Sequence, residues 1–215
     1  MWAIDQEVLV KSRARVKAHG EVFTPRSMVD QMLDLVSEDL QFVDKTFLEP
    51  AAGDGNFLIA ILQRKLRLIE RRLAKDLWGR ESLFALASIY GIELLEDNHQ
   101  DAKAAMLEEF AHFHTSRDVF LSPDTDLMRA ATFLVNSNIV CGNTLTGLDW
   151  LGEEIALSWW IRDESDPGMV VREPFTFNSL RASAPAPDLF DYLVEPVRYV
   201  SCRIDHVHEE VRAGG

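Results

Sequence analysis

Cysteine is scarce in this chain. Cys141 and Cys202 are the only two, and neither sits in a Cys-x-x-Cys pair. That argues against a disulfide framework and makes two free thiols in a reducing compartment the expectation. Long apolar runs are missing too: none approaches the roughly 18 residues of a membrane-spanning helix. The opening stretch, MWAIDQEVLVKSRARVKAHG, carries its charges after its apolar part, unlike a secretory signal. A cytoplasmic location is therefore expected. Positive charge is also short. Lys and Arg number 22 against 35 Asp and Glu, for a net charge of −13. Affinity for a phosphate backbone comes largely from Lys and Arg, so this balance works against autonomous nucleic-acid binding. No internal repeat or low-complexity tract is visible.

What is present reads as a globular α/β protein. Apolar residues make up 47% and charged residues 27%, and 215 residues suffice for one sizeable domain or one with a small appendage. Residues 4–18 are expected to be helical. Lys11, Arg13, Arg15 and Lys17 cluster there, either as phosphate contacts or as a solvated helix face. GEVFTPRS (20–27) breaks that helix, and Pro25 suits the start of the next. Met28, Val29, Met32, Leu33 and Val36 then mark one apolar face. KTFLEP (45–50), LASIYGIEL (86–94) and residues 138–142 read as buried strands, with helices at about 56–73 and after Leu94. Strands alternating with helices predict a parallel, doubly wound sheet. Residues 154–177 differ: two partly alternating runs flank the turn formers DESDPG, which predicts an antiparallel hairpin. ASAPAPD (182–188) resembles a linker, and the tail from Leu189 to Val211 is expected to be helical or mixed.

The stretch FLEPAAGDGNFL (47–58) carries the chemistry. Gly53 and Gly55 sit at the carboxyl end of a strand, where open α/β sheets bind ligands. The loop opens a helix, whose first amides receive a negative group. A dinucleotide, a nucleotide phosphate and S-adenosylmethionine are the candidates. Glu49 and Asp54 would repel a pyrophosphate, and the Gly-Lys-Ser/Thr ending of a P-loop is missing. The two carboxylates suit a sulfonium and an ammonium, which favours S-adenosylmethionine. Glu93 closes the second strand, where a carboxylate accepts from both ribose hydroxyls. Leu94 beside it suits an adenine face, and Asn143 both donates to and accepts from an adenine edge. HFH (112–114) and HVH (206–208) lack a nearby cysteine set, so no zinc site is expected from them.

HGEVFTP (19–25), FLEPAAGDGNFL (47–58), IYGIELLEDN (89–98) and NIVCGNTL (138–145) resemble, in that order, the cofactor-binding motifs of DNA methyltransferases that modify the exocyclic amino group of adenine. The order is that of the gamma group, which includes modification subunits of restriction systems and fused restriction–modification enzymes. The resemblance spans about residues 10–150. It implies a class I, Rossmann-like S-adenosylmethionine-dependent methyltransferase sheet. An N-terminal helix and cofactor lid (1–27), an α/β core (28–150), and a hairpin with a C-terminal extension (151–215) are then expected.

The resemblance also implies roles. Phe23, Thr24 and Pro25 would line the cofactor's methionine and adenine side. Glu49, Ala51, Gly53 and Gly55 would hold the methionine moiety, Glu93 the ribose and Asn143 the adenine. Family members often carry Asp where Asn143 stands. The catalytic Asn-Pro-Pro-Tyr or Asp-Pro-Pro-Tyr of the family, whose acceptors raise amino-group nucleophilicity while the Tyr stacks on a flipped base, has no counterpart: the chain contains no Pro-Pro. SDPGM (165–169) and EPFTF (173–177) are the nearest strings. A long basic target-recognition region is not seen either. Two function classes follow. One is a DNA adenine methyltransferase that meets DNA through a partner subunit supplying the missing parts. The other is an inactive, cofactor-binding regulatory module. Trp159 and Trp160 are adjacent and point to opposite faces of a strand, so one is expected in the core and the other, with Phe175 or Phe177, in an apolar patch for a homo- or hetero-oligomer.

Overall fold

The computed structural model describes residues 9–181 and 197–213. Residues 4–8 of the first expected helix, the linker-like 182–188 and the tail residues 189–196 lie outside the described residues. Helix α1 is Arg13–His19, shorter than the sequence pattern implied. Ser12 caps it by accepting from the Arg15 amide at 3.2 Å, and Gly20 ends it in the left-handed conformation. Pro25 stands just before α2, Arg26–Asp34. Only Val29 and Leu33 of its apolar residues are buried; Met28 and Met32 are about half exposed, at 52% and 49%. The expected five-residue apolar face is thus reduced to one i, i+4 stripe.

Strand β1 is Phe47–Glu49, followed by α3, Asn56–Arg72, and α4, Trp78–Ala87. Strand β2, Ile89–Glu93, leads into α5, Glu96–Thr115, then α6, Asp126–Asn138, then β3, Ile139–Cys141. The three strands form a parallel sheet in the order β1-β2-β3, with Phe47 opposite Ile89 and Gly91 opposite Ile139. Each crossover therefore carries two helices. The sequence pattern missed α4 and α6. In α4, SLFALA runs straight into β2, and an apolar run without a polar face has no helical period to detect. In α6, Ala130, Ala131, Leu134, Val135 and Asn138 do share one buried face, and that spacing is easily overlooked because the stretch runs directly into β3.

The second sheet is antiparallel. It contains β4, Ala156–Arg162, β5, Met169–Thr176, and, after the short α7 (Phe177–Arg181), β6, Cys202–Arg203. The hairpin expected at 154–177 is present, with Trp160 opposite Arg172. β2 is buried at every position. Ile89 belongs to the core built with the helices, while Tyr90 and Ile92 pack with Ile155, Leu157 and Phe177 of the hairpin region. Side chains alternate across a strand, so these are its two faces. Helices cover one face and the hairpin covers the other. That corrects the expectation of helices on both. The Tyr90 hydroxyl donates to the Ser158 carbonyl at 2.8 Å and ties the two sheets together.

The hairpin aromatics are spent inside the chain. Trp159 stacks on Phe175 with centroids 4.2 Å apart, and the Trp160 indole donates to Asn138 at 2.8 Å. Phe177 is buried. These residues therefore do not form the expected apolar patch. Farther on, residues Ile204–Glu209 make a 3₁₀ segment that buries Ile204 and Val207 in the main core. Among the described residues, no helix is long and apolar enough to cross a membrane.

Candidate cofactor cleft

The loop after β1 is shaped by two glycines. Gly53 has φ +57° and Gly55 has φ +96°, both in the region that L side chains avoid. Space for a side chain is tight as well. A Cβ on Gly55 would stand 3.0 Å from the Ala102 Cα, and one on Gly53 would stand 3.3 Å from the Phe23 ring. The loop is tied to β2 by its own amides: Ala52 donates to the Ile92 carbonyl at 3.0 Å, and Gly53 to the Glu93 carboxylate at 2.7 Å.

Glu93 is the hub. Its side chain is buried, with the residue 7% exposed, and its other oxygen accepts from the Leu95 amide at 3.0 Å. A buried carboxylate requires such donors, and these two, with a longer bond from the Asn98 side-chain amide at 3.5 Å, leave part of its acceptor capacity unused. Around it opens a cleft of about 260 Å³. Its walls are the glycine loop, the carboxyl ends of β2 and β3, and the strap His19–Phe23.

Six of the ten expected cofactor residues meet in this cleft: Phe23, Ala51, Gly53, Glu93, Leu94 and Asn143. Leu94 is half exposed there. The Asn143 amide oxygen accepts from the Leu145 amide at 2.9 Å, so it also forms the turn. The other four do not line it. The Thr24 carbonyl accepts from Asn56 at 3.4 Å, Pro25 starts α2, and Gly55 packs on α5. Glu49 accepts from the Ala51 amide at 3.1 Å, and burial pushes its carboxyl above the usual range. Burial raises Asp54 in the same way.

The basic helix serves a different purpose from the one its charge implied. The Arg15 guanidinium grips both oxygens of Glu21 at 2.6 Å and reaches Asp97 at 2.7 Å. The Lys11 ammonium bridges Asp97 at 3.2 Å and Asp101 at 2.6 Å. These contacts hold Asp97 well below the usual carboxylate range and lower Glu21 as well. Lys11 and Arg15 therefore pin the strap to α5 and are taken up by carboxylates, while Arg13 and Lys17 stay exposed. Two lining residues, Asn98 and Glu21, were not expected from the sequence. Asn98, almost fully buried, donates to Glu21 at 2.7 Å and sits 3.5 Å from the Glu93 carboxylate. Both lie inside motif strings whose other residues carried the signal.

The family described as MmeI, DNA-methyltransferase domain, matches residues 26–163, more than half of the chain. The chain belongs to this family. The resemblance to restriction–modification DNA methyltransferases seen in the motifs is thereby established. One curated relative of the MmeI-type domain is the Type II methyltransferase M.PaeR7I of Pseudomonas aeruginosa, 43% identical over 53 residues. That stretch is 24% of this chain and 9% of the relative, so this MmeI-type chain matches only a small part of that protein's length. No solved structure matches. The matched region of the MmeI-type domain contains every cleft wall except the strap, which immediately precedes it.

Proposed function

We propose that this chain is the S-adenosylmethionine-binding part of a DNA methyltransferase that modifies the exocyclic amino group of adenine. The observation that carries this is the Glu93 carboxylate, buried at the junction of the glycine loop and the cleft. The cofactor supplies a methyl group on a cationic sulfonium. The cleft suits it on charge and shape: Glu21 and Glu93 line it, Glu49 and Asp54 lie in or beside the glycine loop, and Gly53 leaves room that a side chain would narrow. Glu93 would accept from ribose hydroxyls while holding the loop through Gly53. Leu94 would pack on the adenine, with Asn143 at its edge. Phe23 and Ala51 would close on the methionine side. A three-stranded parallel run with the glycine loop after its first strand supports a class I, Rossmann-like sheet.

The regions 1–27 (lid), 28–150 (cofactor core) and 151–215 (hairpin and extension) would then divide labour rather than fold separately, since Tyr90 and Ile92 share a core with the hairpin. Duplex DNA is the proposed substrate, reached with a partner subunit, and the cytoplasm the proposed location. The amino-group acceptors are not among the assigned residues. Asp163 and Asp166 shape the β4–β5 turn, accepting from Ser165 and Gly168 amides at 2.7 and 3.1 Å. The family and its relative are methyltransferases, and neither favours the inactive-module alternative.

Calorimetry with S-adenosylmethionine tests the reading. The wild-type chain is expected to bind one equivalent. Glu93→Ala should weaken binding by about 1.5–3 kcal/mol, the range for a hydrogen bond to a charged group. Absence of binding to a folded wild-type chain at saturating cofactor would defeat the proposal.

A further inference from the structure

We propose that the ends of β2 and β3 carry a transition-metal site of the zinc class, formed by Glu96, His99 and Cys141 beside the cofactor cleft. The carboxylate, imidazole and thiol each present one donor atom, and the three donors lie within 4.8 Å of one another. Glu96 and His99 sit one turn apart at the start of α5, with Oε2 3.6 Å from Nδ1. Cys141 is the last residue of β3, next to the cleft residues Gly142 and Asn143.

The decisive group is His99. The residue is 7% exposed, and its Nε2 lies 2.8 Å from the Ile139 carbonyl. A carbonyl only accepts, so Nε2 carries the proton and Nδ1 of the neutral ring is left with a bare lone pair. That nitrogen is buried and has no hydrogen-bond partner. Buried polar atoms are seldom left so, because the desolvation cost goes unmatched. A ring whose far N–H is held by a backbone carbonyl while its near nitrogen is free is the arrangement that orients a metal-binding histidine. The free nitrogen faces one carboxylate and one thiol.

Ligand chemistry selects the ion. One sulfur, one nitrogen and one oxygen suit zinc or a neighbouring transition metal, and an all-oxygen cation such as calcium or magnesium is a poor match. Zinc bonds of about 2.0–2.3 Å place tetrahedral donors roughly 3.3–3.8 Å apart. The Glu96–His99 pair already meets this. Glu96, with a side chain 65% exposed, has room to adjust its carboxylate around an ion. Three protein donors leave a fourth position for water. Binding replaces the Cys141 S–H bond with a sulfur–metal bond and releases one proton to solvent. At present that thiol makes a long contact of 3.8 Å to the Leu94 carbonyl and interacts with the Glu96 carboxylate. A bound ion would clamp the first turn of α5 to the end of β3, stiffening the cleft wall made by Leu94 and Asn143.

The test uses the full chain, freed of metal by chelation. Zinc sulfate is titrated in competition with a chromophoric chelator, and cobalt(II) chloride in a parallel experiment. One equivalent of zinc should bind at micromolar affinity or tighter, with release of one proton. Cobalt should give a near-ultraviolet sulfur-to-metal charge-transfer band. Cys141→Ser should abolish the band and weaken zinc by about a hundredfold or more, since loss of even an outer partner costs a metal site roughly 10–100-fold. Cys202→Ser should change neither. If Cys141→Ser misfolds by circular dichroism, the exposed Glu96→Gln serves instead, with the band kept and zinc weakened. Equal zinc affinity in wild type and Cys141→Ser, a band lost in Cys202→Ser, or no binding by the wild type would each overturn the site.

Discussion

At the residue scale, burial sets the behaviour of individual groups. His114 is 1% exposed, with Nε2 2.9 Å from the Ser82 hydroxyl. Burial, with a smaller push from Arg117, moves its imidazole down to about 4. In the unfolded chain a histidine takes up its proton near pH 6.5. Between about pH 6.5 and 4 the unfolded state thus holds a proton that the folded state refuses, and stability falls as pH drops. Below about 4 both states are protonated and the loss stops. The full effect is roughly 3 kcal/mol, since each tenfold difference in proton affinity between the two states is worth about 1.36 kcal/mol. Urea unfolding at pH 7 and pH 4 should show it as the difference between wild type and His114→Gln. Parallel losses in the two proteins would rule His114 out as the cause. The buried Glu93 carboxylate is held by amide donors from Gly53 and Leu95. It stood out in the sequence because a carboxylate at a strand end beside a glycine loop has few other uses.

At the scale of elements, the hairpin is a cover for the sheet. Its docking rests on apolar packing and on the Tyr90–Ser158 hydrogen bond. Tyr90→Phe keeps the ring contacts with Trp159 and Phe175 and leaves the Ser158 carbonyl without this donor. The expected cost is about 1–3 kcal/mol, the penalty of an unsatisfied buried acceptor. It should appear as a lower urea midpoint with an unchanged slope, with S-adenosylmethionine affinity little altered because Tyr90 lies away from the cleft wall. A changed slope would mean that the hairpin comes loose from the sheet. The hairpin was legible in the sequence because two alternating runs flank a dense turn signal. The helices α4 and α6 were not. Seven consecutive residues of α4, from Glu81 to Ala87, are buried, so the segment has no exposed stripe from which to read a 3.6-residue period.

At the scale of the whole molecule, charge and content bear on activity. The 215-residue chain alone is expected to bind cofactor yet transfer little or no methyl to duplex DNA. It contains no Pro-Pro string, and its net charge is −13. Two of its four clustered cations, Lys11 and Arg15, are neutralised by Glu21, Asp97 and Asp101. Missing positioned acceptors cost on the order of a hundredfold or more in rate, and missing cations remove the hold on phosphates. Tritiated methyl transfer to DNA lacking adenine methylation, at low salt, measures this. Robust incorporation that vanishes in Gly53→Asp would sink the expectation and send the search for acceptors to residues 155–177. Incorporation only on adding a second subunit would identify a split enzyme.

The sequence by itself determined the glycine loop and the acid at the end of β2, because each is a short-range pattern with its own steric or charge requirement. Gly53 and Gly55 hold positive φ angles that glycine adopts most readily, and this is visible one residue at a time. Only the tertiary structure decided what covers the second face of β2, and where the basic helix spends its charge. Lys11 meets Asp97 and Asp101 across 86 and 90 residues of chain. His99 and Cys141 likewise meet only because β2 and β3 run side by side. Local pattern fixes what a segment is able to form. Which distant side chain it meets is a property of packing, and packing is decided by the whole chain at once.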